Sequence, residues 1–240
     1  MQGNGRSGGG METIDVILPT LDEEDEIEET LESVFRGAGD ARLDVITVDG
    51  GSRDRTRERA QATGARVVRA EPGRARQLQA GLSASAGEVV VFLHADTRLP
   101  AGWASALSSA LGARGCAGGA FDFAFAASPG APRSLRWVER GARLRSRWLR
   151  LPYGDQALFA RREVLREVGG VPQAPWMEDL DLVWRLRSRG RLVSLPLAIE
   201  TSPRRHLEHG VVRTAARHVL AACGWWFGVP REPLRRWVAR

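Results

Sequence analysis

Five apolar residues in a row, Val89-Val90-Val91-Phe92-Leu93, stop abruptly on His94-Ala95-Asp96-Thr97. A short unbroken apolar run reads as a strand covered on both faces, the kind found in parallel sheets. Related runs precede it at Ile14–Leu18, Leu43–Val48 and Arg66–Arg69. Helical spacing takes over between them, with Ile27, Leu31, Val34 and Phe35 on one stripe. The first helix is expected to open within Leu21–Glu26, capped by Thr20 or Asp22 and favoured by its acidic first turn. Short loops and the order β-α-β-α-β-α-β predict a doubly wound sheet with helices on both faces. Further along, helices are expected at 101–113, 132–150, 176–187 and about 211–227. Strand-like segments fall at 116–125, just after Gln156, and at 192–195. Asp181 and Arg185 have i,i+4 spacing and are expected to pair. There is no internal repeat and no second core, so 11–230 reads as one domain.

Ligands of open α/β sheets sit outside the carboxyl ends of the strands. The candidate rim here is Pro19-Thr20, Asp49 and Asp96. Each has a plain structural reading: turn residues follow strands, and Ser52 or Asp54 can cap the next helix. Those readings do not explain why Asp49 should end a buried strand. Gly50-Gly51 permits a tight turn or close backbone approach to a ligand. No G-x-G-x-x-G follows the first strand, which removes the main support for a dinucleotide site. Arg74 and Arg76 stand at a helix start, where positive charge opposes the dipole unless an anion binds there. Glu178 and Asp179 begin another helix beside Trp176. The dipole accounts for one of the two, while a loop-presented carboxylate is also how a general base is held.

Composition changes this picture modestly. All 35 basic residues are arginine and Asn4 is the only asparagine, a bias read as GC-rich codon usage, so the +6 charge is weak evidence for nucleic acid. Cys116 and Cys223 are too few for a disulfide framework or a structural zinc site, which fits a reducing, cytoplasmic setting. Residues 1–10 read as a disordered glycine-rich tail without a signal-peptide core, with Met11 as a second possible start. Residues 231–240 read as a basic tail. No run reaches the roughly 20 apolar residues of a membrane span. The arginine- and tryptophan-rich stretch 132–150 reads as a solvated face, and the apolar run Val219–Val229 as core packing. Both also permit peripheral contact with the inner face of a membrane.

Taken in order, five motifs carry a resemblance. They are Pro19-Thr20-Leu21-Asp22-Glu23-Glu24, Asp49-Gly50-Gly51-Ser52-x-Asp54-x-Thr56, the Gly73–Gly81 segment, Phe92-Leu93-His94-Ala95-Asp96-Thr97, and Glu178-Asp179. Together they resemble a family 2 glycosyltransferase of GT-A fold. The spellings Gly-Arg-Ala-Arg-Gln, Leu-His-Ala-Asp-Thr and Pro-Tyr-Gly-Asp-Gln resemble, more narrowly, the small bacterial branch of radical-SAM/selenodomain-associated transferases. The resemblance implies that Pro19, Thr20, Glu23, Asp49 and Gly51 contact the nucleoside, with Arg74 and Gln77 against the nucleotide. It places Asp96 on a divalent metal, Mn²⁺ or Mg²⁺, with His206 as a second ligand. His94 and Ala95 would lie beside the diphosphate. Gly154, Asp155 and Gln156 would border the donor sugar or acceptor, and Arg204 and Arg205 would cover the diphosphate. Asp179 would be the base, with Glu178 beside it.

Three departures stand out: Asp22 and Gln79 stand where the family usually has asparagine, and His94-x-Asp96 replaces Asp-x-Asp. The last leaves one carboxylate for the metal, and imidazole suits Mn²⁺ less than oxygen does. The expected function is inverting transfer of a sugar from a nucleotide-diphospho-sugar, UDP-linked, to a small-molecule or lipid-linked hydroxyl, without nucleic acid. The alternatives are a sugar-phosphate nucleotidyltransferase and a degenerate GT-A domain that binds without turnover.

Overall fold

The computed structural model describes residues 12–238 except 129, 150 and 151. The segment 1–10, Met11, Arg150, Leu151 and the last two residues of the basic tail lie outside the described residues.

Four strands and three helices alternate at the start: β1 (Thr13–Thr20), α1 (Ile27–Gly37), β2 (Arg42–Asp49), α2 (Thr56–Ala62), β3 (Arg66–Arg69), α3 (Arg74–Ala84) and β4 (Val89–Phe92). A two-residue β5 (Thr97–Arg98), α4 (Trp103–Leu111) and the long β6 (Cys116–Phe125) follow. The chain then forms α5 (Ser134–Leu144), which runs into a π-helical turn at Arg145–Leu149, and a 3-10 turn at Gly154–Gln156. After these come β7 (Leu158–Arg161), α6 (Arg162–Glu167), α7 (Glu178–Arg187), β8 (Arg191–Thr201), α8 (Arg204–His209), α9 (Val211–Trp226) and α10 (Arg231–Val238).

The strand order is β3-β2-β1-β4-β7-β6-β8-β5. β3, β2, β1 and β4 run parallel, whereas β7 is antiparallel to both β4 and β6, and β8 is parallel to β6. The chain steps outward from β1 to β3, then returns to β4 on the far side of β1. That reversal opens the crevice where ligands of such sheets bind. Thr20 stands opposite Asp49 in the register, so two of the expected rim positions lie side by side.

Both faces of the sheet are covered, as the unbroken apolar runs predict. Val89 and Val91 join Val16 and Leu18 in one core, while Val90 and Phe92 join Ile17 and Ile46 in the other. Asp15 is the charged exception inside β1. It is fully buried, with Oδ2 accepting from the Gly87 N–H at 2.6 Å and from Arg162 at 2.8 Å. A buried carboxylate is tolerable only when paired in this way.

Four expectations need correction. α1 starts at Ile27, and neither Thr20 nor Asp22 caps it. Asp22 has φ +54° and accepts from the Arg53 N–H, while the Glu23 and Glu24 N–H groups donate to Thr56 and Asp54. The loops after β1 and β2 thus satisfy each other's backbone, and residues 21–26 serve that clamp instead of the helix. Asp181 does not pair with Arg185. It accepts from Trp225 at 2.9 Å and binds Arg231 at 2.7 Å, so the segment expected as a basic tail is helical and anchored at its start. Of the Val219–Val229 run, only Ala221 is buried. The helix lies at the margin of the sheet and has one narrow inward stripe. Finally, the helix expected over 132–150 is shorter and changes type: α5 covers Ser134–Leu144 and a π-helical turn Arg145–Leu149.

Candidate active site

A cavity of about 680 Å³ opens at the carboxyl ends of the central strands, lined in part by Arg74, His94, Asp155, Glu178, Asp179 and Arg205. Six of the sequence-predicted positions therefore meet in one space, although they come from five separate parts of the chain.

Its floor is built by α7. Met177 takes a left-handed conformation, φ +60°, and turns the chain so that Glu178 and Asp179 form the first turn of the helix. Asp179 Oδ1 accepts from the Leu180 N–H at 2.9 Å, and Oδ2 accepts from the Gly154 N–H at 2.7 Å. The second bond joins α7 to the 3-10 turn that carries Asp155. Glu178 is 4% exposed and lies 3.0 Å from Arg74 Nε. That contact is close but not aligned as a hydrogen bond. Burial pushes the Glu178 carboxyl up; Arg74 opposes the shift and Asp179 adds to it.

Gly154 leaves room for the Arg74 guanidinium and the Asp179 side chain. A Cβ there would meet Arg74 at 2.0 Å and Asp179 at 3.0 Å. Asp155 is partly exposed as a residue, yet its Oδ1 is sealed from solvent without a hydrogen-bond partner. Loss of solvation raises its pKa, against the pull of Arg145, and Asp179 and Asp96 raise it further. Arg145 stacks on Tyr153, 3.4 Å from the ring centre.

His94 ends the central apolar run with Nε2 sealed and unpartnered. Desolvation, then Arg74 and Arg205, hold its pKa well below the ordinary value, so the ring is neutral. His206 is likewise neutral, with a pKa lowered to about 4 by burial, His218 and Arg205. Its Nε2 also lacks a partner, and its ring packs edge-on against Phe125 and His218.

The other expected residues form a second group along the rim. Glu23 pairs with Arg204 at 3.3 Å. Burial and nearby Asp96 raise the Glu23 carboxyl, while Arg204 draws it back. Pro19 and Thr20 end β1 beside Asp49. Asp49 is 1% exposed, and its oxygens accept from the Gly51 and Ser52 N–H groups at 3.1 Å, so its carboxylate is turned into its own loop. Gln77 is also turned inward, donating to the Thr20 and Val48 carbonyls at 2.8 and 2.9 Å. Gln156 is buried, accepts from Ser146 at 2.6 Å and donates to the Phe121 carbonyl at 3.0 Å. The structure uses Asp49, Gln77 and Gln156 to hold the strand ends and turns in place. Ala95 supplies a carbonyl to Thr30 at 2.7 Å, while Asp96 is half-buried and touches Thr97 at 3.4 Å.

Cavity-wall residues not singled out from sequence for this site include His218 and Ala221 on α9, and Glu232 on α10. No local motif marks them. Only the path of these helices over the strand ends brings them to the cavity.

The sequence profile of Glycosyl transferase family 2 matches residues 15–169. Over 93 residues the chain is 41% identical to a glucosyl-3-phosphoglycerate synthase of Mycolicibacterium paratuberculosis, covering 35% of this chain and 28% of that protein. The corresponding protein of Mycobacterium tuberculosis H37Rv is 39% identical over 93 residues, or 35% and 29% of the two chains. The match thus spans less than a third of these curated relatives. Solved structures of the Mycobacterium tuberculosis enzyme align over more of the chain. Its complex with Mn²⁺, UDP and glucosyl-3-phosphoglycerate gives a TM-score of 0.64 at 26% identity, covering 91% of this chain and 81% of that one. The complex with phosphoglyceric acid gives 0.67, again at 26% identity with 91% and 81% coverage.

Proposed function

The chain belongs to glycosyl transferase family 2, and from that premise we propose that it moves a sugar from a uridine-diphospho-sugar to an acceptor hydroxyl, inverting the anomeric centre, with Asp179 as general base. The observation that carries this reading is the join between Asp179 and Gly154, which brings the Asp179 and Asp155 carboxyl groups together in a cavity also lined by Arg74 and Arg205. Residues 11–230 act as one GT-A domain in this reading. The uridine donor is supported by the mycobacterial relative's complexes with UDP and UDP-glucose. The narrower branch named above rests on motif spellings alone.

Each group has a task that its surroundings suit. Asp179 keeps a second lone pair on each oxygen beyond the two main-chain bonds. It accepts the acceptor's proton as the hydroxyl attacks. Asp155, with its raised pKa, holds a hydroxyl of the donor sugar. Arg74 and Arg205 meet the charge that develops on the departing diphosphate, with Arg204 and neutral His94 beside them. Pro19, Thr20 and Glu23 border the nucleoside. Asp49 acts there through the Gly51–Ser52 turn that it shapes.

Among the described residues, no three metal-binding side chains gather at one point. The donors present nevertheless fit a cation completed by substrate oxygens, as is usual for ions bound with phosphates. Asp96 offers a carboxylate, and His206 offers a deprotonated, unpartnered nitrogen of the kind that metal binding requires. Mn²⁺ or Mg²⁺ bound by Asp96 and His206 would supply positive charge to offset that of the diphosphate.

The test is calorimetric titration with UDP, with and without Mn²⁺, paired with UDP release from UDP-sugars over a panel of small hydroxyl acceptors. Metal-enhanced binding that Asp96→Ala abolishes, together with turnover, is expected. Binding without turnover on any acceptor would favour a non-catalytic domain. No binding of any nucleotide would overturn the reading.

A further inference from the structure

We propose that the outer faces of α5 and α9 dock the protein on an anionic lipid surface. The inference does not rest on the transferase reading, because it concerns the side of α9 turned away from the cavity.

α5 and α9 lie side by side at the end of β6. Leu135, Val138 and Ala142 of α5 pack inward with Phe123, Phe125 and Val211. The opposite face of α5 carries Trp137, Gly141 and Leu144 at helical spacing, and Trp148 follows in the π-helical turn. Trp137 is 70% exposed and Trp148 81%. On α9 the outward stripe is Val212, Ala216, Val219, Leu220, Cys223 and Trp226, with Phe227 just beyond it. Val212 is 74% exposed and Phe227 81%. The inward stripe of the same helix holds Val211, Thr214 and Ala221, and His218 and Ala221 face the cavity. Isolated exposed apolar side chains need no explanation, but two adjoining helices with continuous apolar stripes do.

Charge selects the occupant. Arg133, Arg136 and Arg140 flank the α5 stripe, Arg213 flanks that of α9, and Arg140 also lies over the Trp137 ring at 5.3 Å. α9 contains no acidic residue, and the one in α5, Glu139, is turned inward to accept from the Phe125 N–H at 2.9 Å. Tryptophan and phenylalanine bordered by arginine, with no acid on the outer face, match the boundary between acyl chains and anionic headgroups. A second copy of the chain would bring arginine against arginine, which such contacts avoid. Among the described residues no helix is long and apolar enough to cross a membrane, so the contact is peripheral.

The experiment is co-sedimentation of the full chain with phosphatidylglycerol-containing vesicles and with pure phosphatidylcholine vesicles, at low and high salt. Binding to the first alone, weakened by salt, is expected. Each of Arg136→Gln and Arg140→Gln should weaken it about fivefold, the factor set by about 1 kcal/mol per basic residue at the surface. Trp137→Ser combined with Phe227→Ser should abolish it while the circular dichroism spectrum stays unchanged. Equal binding to both vesicle types would overturn the proposal. So would absence of vesicle binding together with a solution dimer that the same double variant dissociates.

Discussion

Replacing Asp179 by asparagine separates the chemistry of this carboxylate from its place in the fold. The carboxylate accepts one main-chain N–H on each oxygen, from Leu180 at 2.9 Å and Gly154 at 2.7 Å. Asparagine keeps the shape but has one carbonyl oxygen. In either orientation its amide NH₂ faces an N–H donor, and one bond to a charged acceptor is lost, costing about 1.5–3 kcal/mol. For a chain of this size that lowers the melting temperature by roughly 3–12 °C, at about 2–4 °C per kcal/mol. Loss of the base acts separately, reducing kcat by about 10²–10⁴-fold. The measurements are thermal unfolding, steady-state UDP release against donor concentration, and donor titration by calorimetry. Donor affinity should stay within a few-fold of the wild type, because the arginines and Asp96 are untouched. A melting temperature that falls as expected with kcat retained within about tenfold would refute the assignment. The base would then have to be sought at Asp155, another carboxylate in the same cavity. A bell-shaped pH profile that survives in Asp179→Asn and disappears in Asp155→Asn would identify it.

Gly154→Ala should displace the Arg74 guanidinium, which a new Cβ would meet at 2.0 Å. Misplacement on that scale costs about 10²-fold in kcat/KM, and full activity in this variant would contradict the packing described. Asp15→Ala leaves the Arg162 charge unpaired at the other end of β1, where its partner lies at 2.8 Å. It should cost about 3–5 kcal/mol of stability by denaturant unfolding, with donor affinity of the remaining folded protein unchanged. The His206 pKa is lowered from 6.5 to about 4 on folding. The folded state then binds fewer protons than the unfolded one, so this stability is present above pH 6.5 and is lost as pH falls toward 4. Melting curves recorded across that window should show the decline, and His206→Gln should flatten it.

The alternation of apolar runs and helical stripes determined the first half of the fold, because a strand covered on both faces is written mainly with consecutive apolar residues. The same runs determined where the rim lies, since their polar ends are the strand ends. His94-x-Asp96 was legible for that reason, and Glu178-Asp179 as a pair of carboxylates at a helix start. Local pattern could not decide what a polar side chain at the rim does. Asp49, Gln77 and Gln156 have the residue types of ligand contacts, yet main-chain groups claim their hydrogen bonds, those of its own loop for Asp49 and groups distant in sequence for Gln77 and Gln156. Nor could it foresee that Asp181 takes Arg231 in place of Arg185, because an i,i+4 rule knows nothing of a helix 50 residues away. The apolar run of α9 looked like core by composition, but a helix at the margin of a sheet has only one side to bury. The tertiary structure alone put His218 on the cavity side of that helix and Val219 on the other. Helical periodicity separates the two neighbours, but which side meets the core is set by contacts that no local stretch of sequence contains.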